Sequence, residues 1–291
     1  MLWKIQGREL FLRRTLLMGI LNVTPDSFSD GGKYVDPEQA VLKGLQLIED
    51  GADILDLGGE STRPNADPVS EEDEIQRVLP VLRGIRENNC EIPISIDTTK
   101  PGVARICLEN GAHIINDVSG LEDSGGEMAE TVSRFGAGLV LMHRRGNPLT
   151  MQSRTHYGSL IDEVSAEIEG RIERAIKSGV KPEQLVIDPG LGFSKTTEQN
   201  LLLLKNLEAF HSFGLPVLLG PSRKSYIGEV TGRPVSQRDW ATAAVVALAV
   251  SKGVQILRVH EAGFMRDAAN MAEAIRGEDY VRSFQVGKYK T

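Results

Sequence analysis

Leu16-Leu17-Met18-Gly19-Ile20-Leu21-Asn22-Val23-Thr24-Pro25-Asp26 is the stretch that decides the fold. An uninterrupted apolar run, Leu16–Leu21, leads straight into a polar, proline-containing segment. A continuous run of this kind suits a strand buried on both faces, as in a parallel sheet, and not the alternating pattern of a half-exposed strand. The polar segment continues through Ser27-Phe28-Ser29-Asp30-Gly31-Gly32. It is too polar for core and too long for a simple connection, and long loops of this kind usually carry function. An amphipathic stretch, Pro37–Glu49, follows it.

The same unit recurs along the chain. Strand candidates are Leu16–Leu21, Ile54–Leu57, Pro93–Ile96, His113–Asn116, Gly138–Met142, Leu185–Ile187, Pro216–Leu219 and Ile256–Val259, with helical stretches such as Glu71–Asn88, Leu160–Ser178 and Ala241–Ser251 between them. Gly51, Gly111, Gly179 and Gly253 stand where helices should end and feed the next strand. Eight β-then-α units predict an α/β fold, a (β/α)8 TIM barrel. Leu2–Gln6 and Glu9–Leu12 around Gly7-Arg8 read as a short N-terminal β-hairpin before it. The expected organisation is one domain over residues 1–277 (hairpin 2–13, barrel 16–277) and a C-terminal tail, 278–291.

Composition narrows the function. The 291 residues are 41% hydrophobic and 25% charged, and the net charge is −7. An acidic balance argues against nucleic acid as a partner, so any anion site must be local. No apolar stretch approaches membrane-spanning length and the N-terminus lacks a signal-peptide profile, so a cytoplasmic protein without a membrane partner is expected. Cys90 and Cys107 cannot make a disulfide framework and read as reduced thiols.

The chemistry-bearing residues cluster just past the strands. Asp97, Asn116 and Asp188 end the third, fourth and sixth strands and should point into the barrel mouth. Two carboxylates and a carboxamide suit a ligand with several N–H groups on one edge, such as a 2-amino-4-oxopyrimidine ring. In Gly58-Gly59-Glu60-Ser61-Thr62-Arg63-Pro64 the glycines allow close backbone approach, while Thr62 and Arg63 offer donors to an anion. Ser222-Arg223-Lys224-Ser225 follows the seventh strand and opens a helix, and Arg258-Val259-His260 ends the eighth. Loops after these strands frequently hold phosphate, which makes Arg63, Arg258 and His260 candidates for an anionic leaving group. Lys224 could serve a ring carbonyl or a substrate carboxylate, or stand solvated at its helix start. His113 lies at a strand start and reads as structural. His156 and His211 read as solvated. Arg144 and Arg145, after His143, either widen an anionic entrance or belong to a solvated loop. No dinucleotide fingerprint, Walker loop, zinc motif or nucleophile elbow is present.

Taken in order, Gly19–Gly32, Gly58–Pro64, Ser95-Ile96-Asp97-Thr98, Ile115-Asn116-Asp117, Asp188-Pro189-Gly190-Leu191-Gly192-Phe193, Ser222–Ser225 and Arg258-Val259-His260 resemble the dihydropteroate synthase family over nearly the whole barrel. The resemblance implies a transferase of folate biosynthesis that joins 6-hydroxymethyl-7,8-dihydropterin diphosphate to p-aminobenzoate. It implies a pterin pocket of Asp97, Asn116, Met142, Asp188, Phe193, Gly220, Lys224 and Arg258. Asn22, Thr62, Arg63, Arg258 and His260 would hold the diphosphate, with Asn22 as an oxygen ligand for Mg2+. Thr24, Pro25, Phe28, Pro64, Phe193, Lys224 and Ser225 would surround p-aminobenzoate. Asp97, Asp30, Lys224 and Arg63 would carry the catalysis, with two Gly/Pro-rich loops closing over the site. Sulfonamides would act as competitive inhibitors, and a homodimer is expected, with the small, apolar Ala241–Val250 helix as one support. The sequence differs from the family pattern at Arg144-Arg145, where a methionine usually follows His143, and at Glu261, where an aspartate is usual. Two other readings are a corrinoid-dependent pterin methyltransferase, which needs no diphosphate site, and a catalytically silent pterin-binding protein, which should have lost Asn22, Arg63 or Lys224.

Overall fold

The computed structural model describes residues 1–24, 36–61, 66–88 and 90–277. Strands β1 (Leu2–Ile5) and β2 (Arg8–Phe11) form an antiparallel hairpin. The strands β3 (Leu16–Asn22), β4 (Ile54–Gly58), β5 (Ile94–Asp97), β6 (Ile114–Asp117), β7 (Gly138–Met142), β8 (Leu185–Asp188), β9 (Leu218–Leu219) and β10 (Ile256–Val259) make one parallel sheet in the order β8-β7-β6-β5-β4-β3-β10-β9. Its ends meet where Ile187 bridges Val217 in parallel, with the Ile187 N–H donating to Pro216 O at 3.0 Å, which closes the sheet into a barrel. Around it lie helices α1 (Pro37–Glu49), α2 (Glu71–Glu87), α3 (Pro101–Glu109), α4 (Glu127–Phe135), α5 (Leu160–Lys177), α6 (Thr197–Lys205), α7 (Ser225–Thr231), α8 (Asp239–Ser251) and α9 (Ala262–Arg276). The architecture is the one the sequence predicts, a hairpin followed by a (β/α)8 barrel.

Local chemistry explains the elements. Asp36 caps α1 by accepting from the N–H groups of Glu38 (2.9 Å) and Gln39 (3.3 Å), with Pro37 in the first turn, where its missing N–H costs nothing. The predicted helix-end glycines Gly51, Gly111, Gly179 and Gly253 all take positive φ, between 81° and 101°. Several strands run one residue further than the apolar runs, because their polar last residues still pair in the ladder: Asn22 with Gly58, Gly58 with Asp97, Asp97 with Asn116. The seventh barrel strand is shorter than Pro216–Leu219. The Val217 N–H donates to the Gln255 side chain at 2.7 Å instead of entering the ladder.

The interior is built in layers two residues apart along each strand, as a pleat requires. At the lower end Met18, Ile54, Ile114, Val140, Val186, Leu218 and Ile256 form one apolar cluster. Trp3, Ile5 and Leu12 join the same cluster, so the hairpin plugs the bottom of the barrel. Trp3 is fully buried, and its indole N–H donates to Gln184 O at 2.8 Å. His113 sits at this lower end, where burial and the Arg86 guanidinium, 3.0 Å from its Nδ1, push its pKa down to about 4. It is a neutral structural histidine, as expected. The Trp3→Ala variant should lose about 3–5 kcal/mol of stability, the cost of truncating a large buried aromatic; equilibrium urea unfolding at constant pH measures it.

Candidate active site

The next inward residue on six strands of the apolar layer is Asp56, Asn116, Met142, Asp188, Gly220 or Arg258, two positions after Ile54, Ile114, Val140, Val186, Leu218 and Ile256. The barrel therefore changes from a dry plug to a polar floor within one pleat. Arg258 is the centre of that floor. Its Nε donates to Asp56 Oδ2 at 2.5 Å and its terminal nitrogen to Asp97 Oδ2 at 2.6 Å. Asn116 Nδ2 donates to the same Asp56 oxygen at 3.1 Å. The other carboxylate oxygen of Asp56 and of Asp97 is buried with no hydrogen-bond partner among the described residues. Buried polar atoms are rarely left in that state, so these two oxygens are acceptor positions for a ligand or water.

Burial raises the Asp97 carboxyl to about 7; Arg258 opposes the rise and Asp56 adds to it. Asp188 is raised to about 6, again by burial, against the Gly190 N–H, which donates to its Oδ1 at 2.8 Å, and the Lys224 charge. Burial disfavours the Arg258 charge, but Asp56 and Asp97 outweigh it and hold the guanidinium protonated. The floor thus offers carboxylates that accept N–H groups and a guanidinium that donates, together in a desolvated mouth.

Lys224 stands just before α7, half-buried, with its Nζ 4.1 Å from the centre of the Phe193 ring. It is not the solvated helix-start lysine that was one possibility. Phe193 packs with Met142, Val118 and Met151 and forms an apolar wall beside the floor. Ser225 begins α7 and is exposed. His260 lies at the rim, its Nδ1 2.8 Å from Ser222 Oγ. Asn22 and Thr24 are half-buried where β3 opens into its loop. Glu60, in the second loop, pairs with Lys100 and accepts from the Val69 N–H at 2.9 Å; Lys100 also pairs with the buried Glu74 at 2.6 Å. Pro25, Phe28, Asp30, Thr62, Arg63 and Pro64 lie outside the described residues.

Two expectations need correction. Arg144 and Arg145 neither line an entrance nor face solvent. Arg144 is 3% exposed and pairs with Asp123 at 2.7 Å, while Arg145 pairs with Glu163 at 2.7 Å and lies over the Tyr157 ring. His211 is not solvated but half-buried, its Nε2 2.7 Å from Lys252 O. Arg223, beside Lys224, is held by Asp239 (2.8 Å) and Glu261 (3.0 Å), which gives the unusual glutamate its partner. Asp56 is the site residue that strand-end reasoning missed. Its signal was present, an acid two positions after Ile54 inside an apolar run.

Fold and site together define a (β/α)8 barrel whose mouth sets hydrogen-bond acceptors and donors beside an apolar wall. Residues 18–260 match the family described as pterin binding enzyme. Dihydropteroate synthase of Synechocystis sp. is 43% identical over 92% of this chain and 93% of its own length, and that of Escherichia coli K12 is 43% identical over 92% and 94%. The structure of Yersinia pestis dihydropteroate synthase in a sulfonamide drug complex superposes with a TM-score of 0.89 at 38% identity, covering 95% of this chain and 100% of that one. Xanthomonas albilineans dihydropteroate synthase with 4-aminobenzoic acid gives 0.87 at 42% identity, covering 95% and 99%. The chain belongs to the pterin-binding enzymes and, among them, to the dihydropteroate synthases, transferases of folate biosynthesis.

The floor depends on Arg258. The Arg258→Met variant leaves Asp56 and Asp97 without the cation they share, at a cost of about 3–5 kcal/mol. Loss of the guanidinium raises the Asp97 carboxyl above its present value. The deficit relative to the parent protein should therefore be largest at alkaline pH and shrink as pH falls towards 7, where Asp97 takes up a proton in both proteins. Urea unfolding across that range measures it, and a pH-independent deficit would count against the account.

Proposed function

We propose that this chain condenses 6-hydroxymethyl-7,8-dihydropterin diphosphate with p-aminobenzoate to give 7,8-dihydropteroate and pyrophosphate. One observation carries the reading: the ring of acceptors and donors formed by Asp56, Asp97, Asn116, Asp188 and Arg258 on the floor, walled by Phe193 and Lys224. The aminopyrimidinone edge of a pterin presents two kinds of N–H donor and a carbonyl. Asp188 and Asn116 complement the donors, and Lys224 the carbonyl. Met142, Phe193 and Gly220 give the ring a flat apolar slot. On this reading the p-aminobenzoate ring rests near Phe193, with its carboxylate towards Lys224 and Ser225 and the loop residues Thr24, Pro25, Phe28 and Pro64 around it.

The reaction is a displacement at the pterin methylene. The C–O bond to the diphosphate breaks, and its electron pair leaves with pyrophosphate. The remaining cation is delocalised into the pterin ring, and the arylamine nitrogen forms the new C–N bond and loses a proton. Asp97, with Asp30 from the first loop, stabilises the positive charge. Asn22, Thr62, Arg63 and His260 meet the leaving group, with Arg258 beneath. No covalent enzyme intermediate is required.

Among the described residues no group of three or more His, Cys, Asp or Glu side chains could hold a metal. A single carboxamide oxygen, such as that of Asn22, still fits Mg2+ carried on a diphosphate, because Mg2+ takes most of its ligands from phosphate and water. Bound there, Mg2+ would neutralise charge on the departing pyrophosphate.

We also infer a cytoplasmic homodimer. No helix among the described residues is long and apolar enough to cross a membrane. Trp240 of α8 and Phe264 of α9 are 79% and 61% exposed, with ring centres 5.8 Å apart, an apolar pair that a second copy would cover. Trp240→Glu should move the protein from dimer to monomer in sedimentation at micromolar concentration.

Activity is read as pyrophosphate release that requires both substrates and is inhibited by a sulfonamide in competition with p-aminobenzoate. Asp188→Asn should lose at least about 100-fold in pterin diphosphate affinity, as a buried pair of N–H groups loses its carboxylate. Unchanged affinity in that variant would sink the pocket assignment.

A further inference from the structure

Behind the wall that carries Phe193 lies a chain of ionisable groups, buried at Lys195 and His143 and half-buried at Glu167 and Arg145, that the reaction does not touch. Lys195 is 4% exposed. Its ammonium reaches three acceptors: His143 Nδ1 at 3.0 Å, Gly190 O at 3.0 Å and Phe193 O at 3.1 Å. The His143 ring is fully buried, and its Nε2 lies 3.0 Å from Glu167 Oε2. Arg145 donates from Nε to Glu167 Oε1 at 2.8 Å.

The protonation states follow from one another. Burial works against the Glu167 charge, but hydrogen bonds from His143 and Arg145 outweigh it and hold the carboxyl at about 2. Burial, with Lys195 nearby, pushes His143 down to about 3, so the imidazole is neutral. A neutral imidazole beside an ionised carboxylate places its one N–H on Nε2, towards Glu167. Nδ1 therefore presents a lone pair to Lys195. Only a protonated amine has a hydrogen for each of three acceptors, so the fixed tautomer favours the ammonium. Burial draws the Lys195 pKa down to about 7, with Arg171 and Arg145 acting the same way and Asp188 and Glu167 against it.

The turn this ammonium holds is the one that shapes the site. Gly190 has φ of +73°, and a Cβ there would lie 1.8 Å from His143 O, so the turn sits directly on the backbone after β7. The Gly190 N–H fixes the Asp188 carboxylate, and Gly190 O accepts from the Phe193 N–H at 3.2 Å. Lys195 binds the carbonyls at both ends of that turn. It thereby sets where the Phe193 ring meets Lys224.

We propose that Lys195 is a positioning residue for the transfer reaction, placing the Phe193 ring for p-aminobenzoate through the Gly190–Phe193 turn, with Glu167 and His143 fixing the tautomer it binds. The inference rests on the reading of Phe193 as a p-aminobenzoate contact. The test is steady-state kinetics on the full chain at saturating pterin diphosphate. Lys195→Met should raise KM for p-aminobenzoate about tenfold while kcat changes less than about threefold. If Lys195 acts through Phe193, the Lys195→Met/Phe193→Ala double variant should have the KM of Phe193→Ala alone. An unchanged KM, or single-variant effects that multiply in the double variant, would overturn the proposal, because a purely structural lysine lowers the active fraction without that coupling. Should Lys195→Met not fold, Glu167→Gln, on the helix outside the turn, is expected to raise the same KM about threefold and to do so only when Phe193 is present. No change in that variant, or the same rise without Phe193, overturns the proposal equally. Absence of p-aminobenzoate-dependent turnover in the parent protein would instead refute the functional reading and this inference with it.

Discussion

The guanidinium of Arg258, half-buried between Asp56 and Asp97, is the interaction on which the mouth of this barrel depends. Two carboxylates and a carboxamide stand directly above a layer of aliphatic side chains, in a medium where an unpaired charge costs several kcal/mol. One cation makes the set tolerable by bonding both carboxylates at once. Such a cluster adds little to stability, since an apolar filling of the same volume would serve as well or better. Its retention is intelligible as recognition. Each acid keeps one oxygen without a partner among the described residues, in a pocket already desolvated and ordered. A ligand that supplies the missing donors meets groups whose desolvation has already taken place on folding.

The barrel was legible in the sequence because parallel strands buried on both faces leave uninterrupted apolar runs, and the polar residue after each run marks the mouth. Asp97 and Asp188 were found by that rule as the last residues of their strands, and Asn116 stands one residue before the end of its own. Asp56 was not, because β4 runs on to Gly58. On its inward face the last residue is a glycine, and the acid lies one pleat deeper. A Cβ on Gly58 would sit 3.4 Å from that of Asp97, at ordinary contact distance, so the two inward positions lie side by side. Following the period-two face downward from the mouth, rather than stopping at the strand tip, would have recovered it.

Charge direction was not legible. Arg144, Arg145 and Arg223 stand immediately past strand ends, as site residues do, yet each is paired with an acid on another element: Asp123 before α4, Glu163 and Glu167 on α5, Asp239 on α8. These partners are 16 to 22 residues away in sequence and become neighbours only when the helix packs back on its strand. Lys195 escaped notice for the same reason. A lysine in a loop beside a glycine turn reads as solvated until the histidine and the carbonyls that enclose it are brought together.

The charges that remain explain how an acidic protein can handle a doubly anionic chemistry. On the floor, Asp56, Asp97 and Asp188 face Arg258 and Lys224, and Asp97 sits near its own titration point. The floor is therefore close to neutral, which suits an uncharged heterocycle and would not by itself retain a diphosphate. Arg223 cannot help, because Asp239 and Glu261 already neutralise it. On the proposed reading, anion binding must then be met at the rim, by His260, by Asn22 with Mg2+ on the substrate, and by Arg63 and Thr62 of the second loop. That separation has a mechanistic use. A strongly cationic floor would destabilise the positive charge that develops on the pterin as the leaving group departs, whereas cations at the rim stabilise pyrophosphate without opposing it.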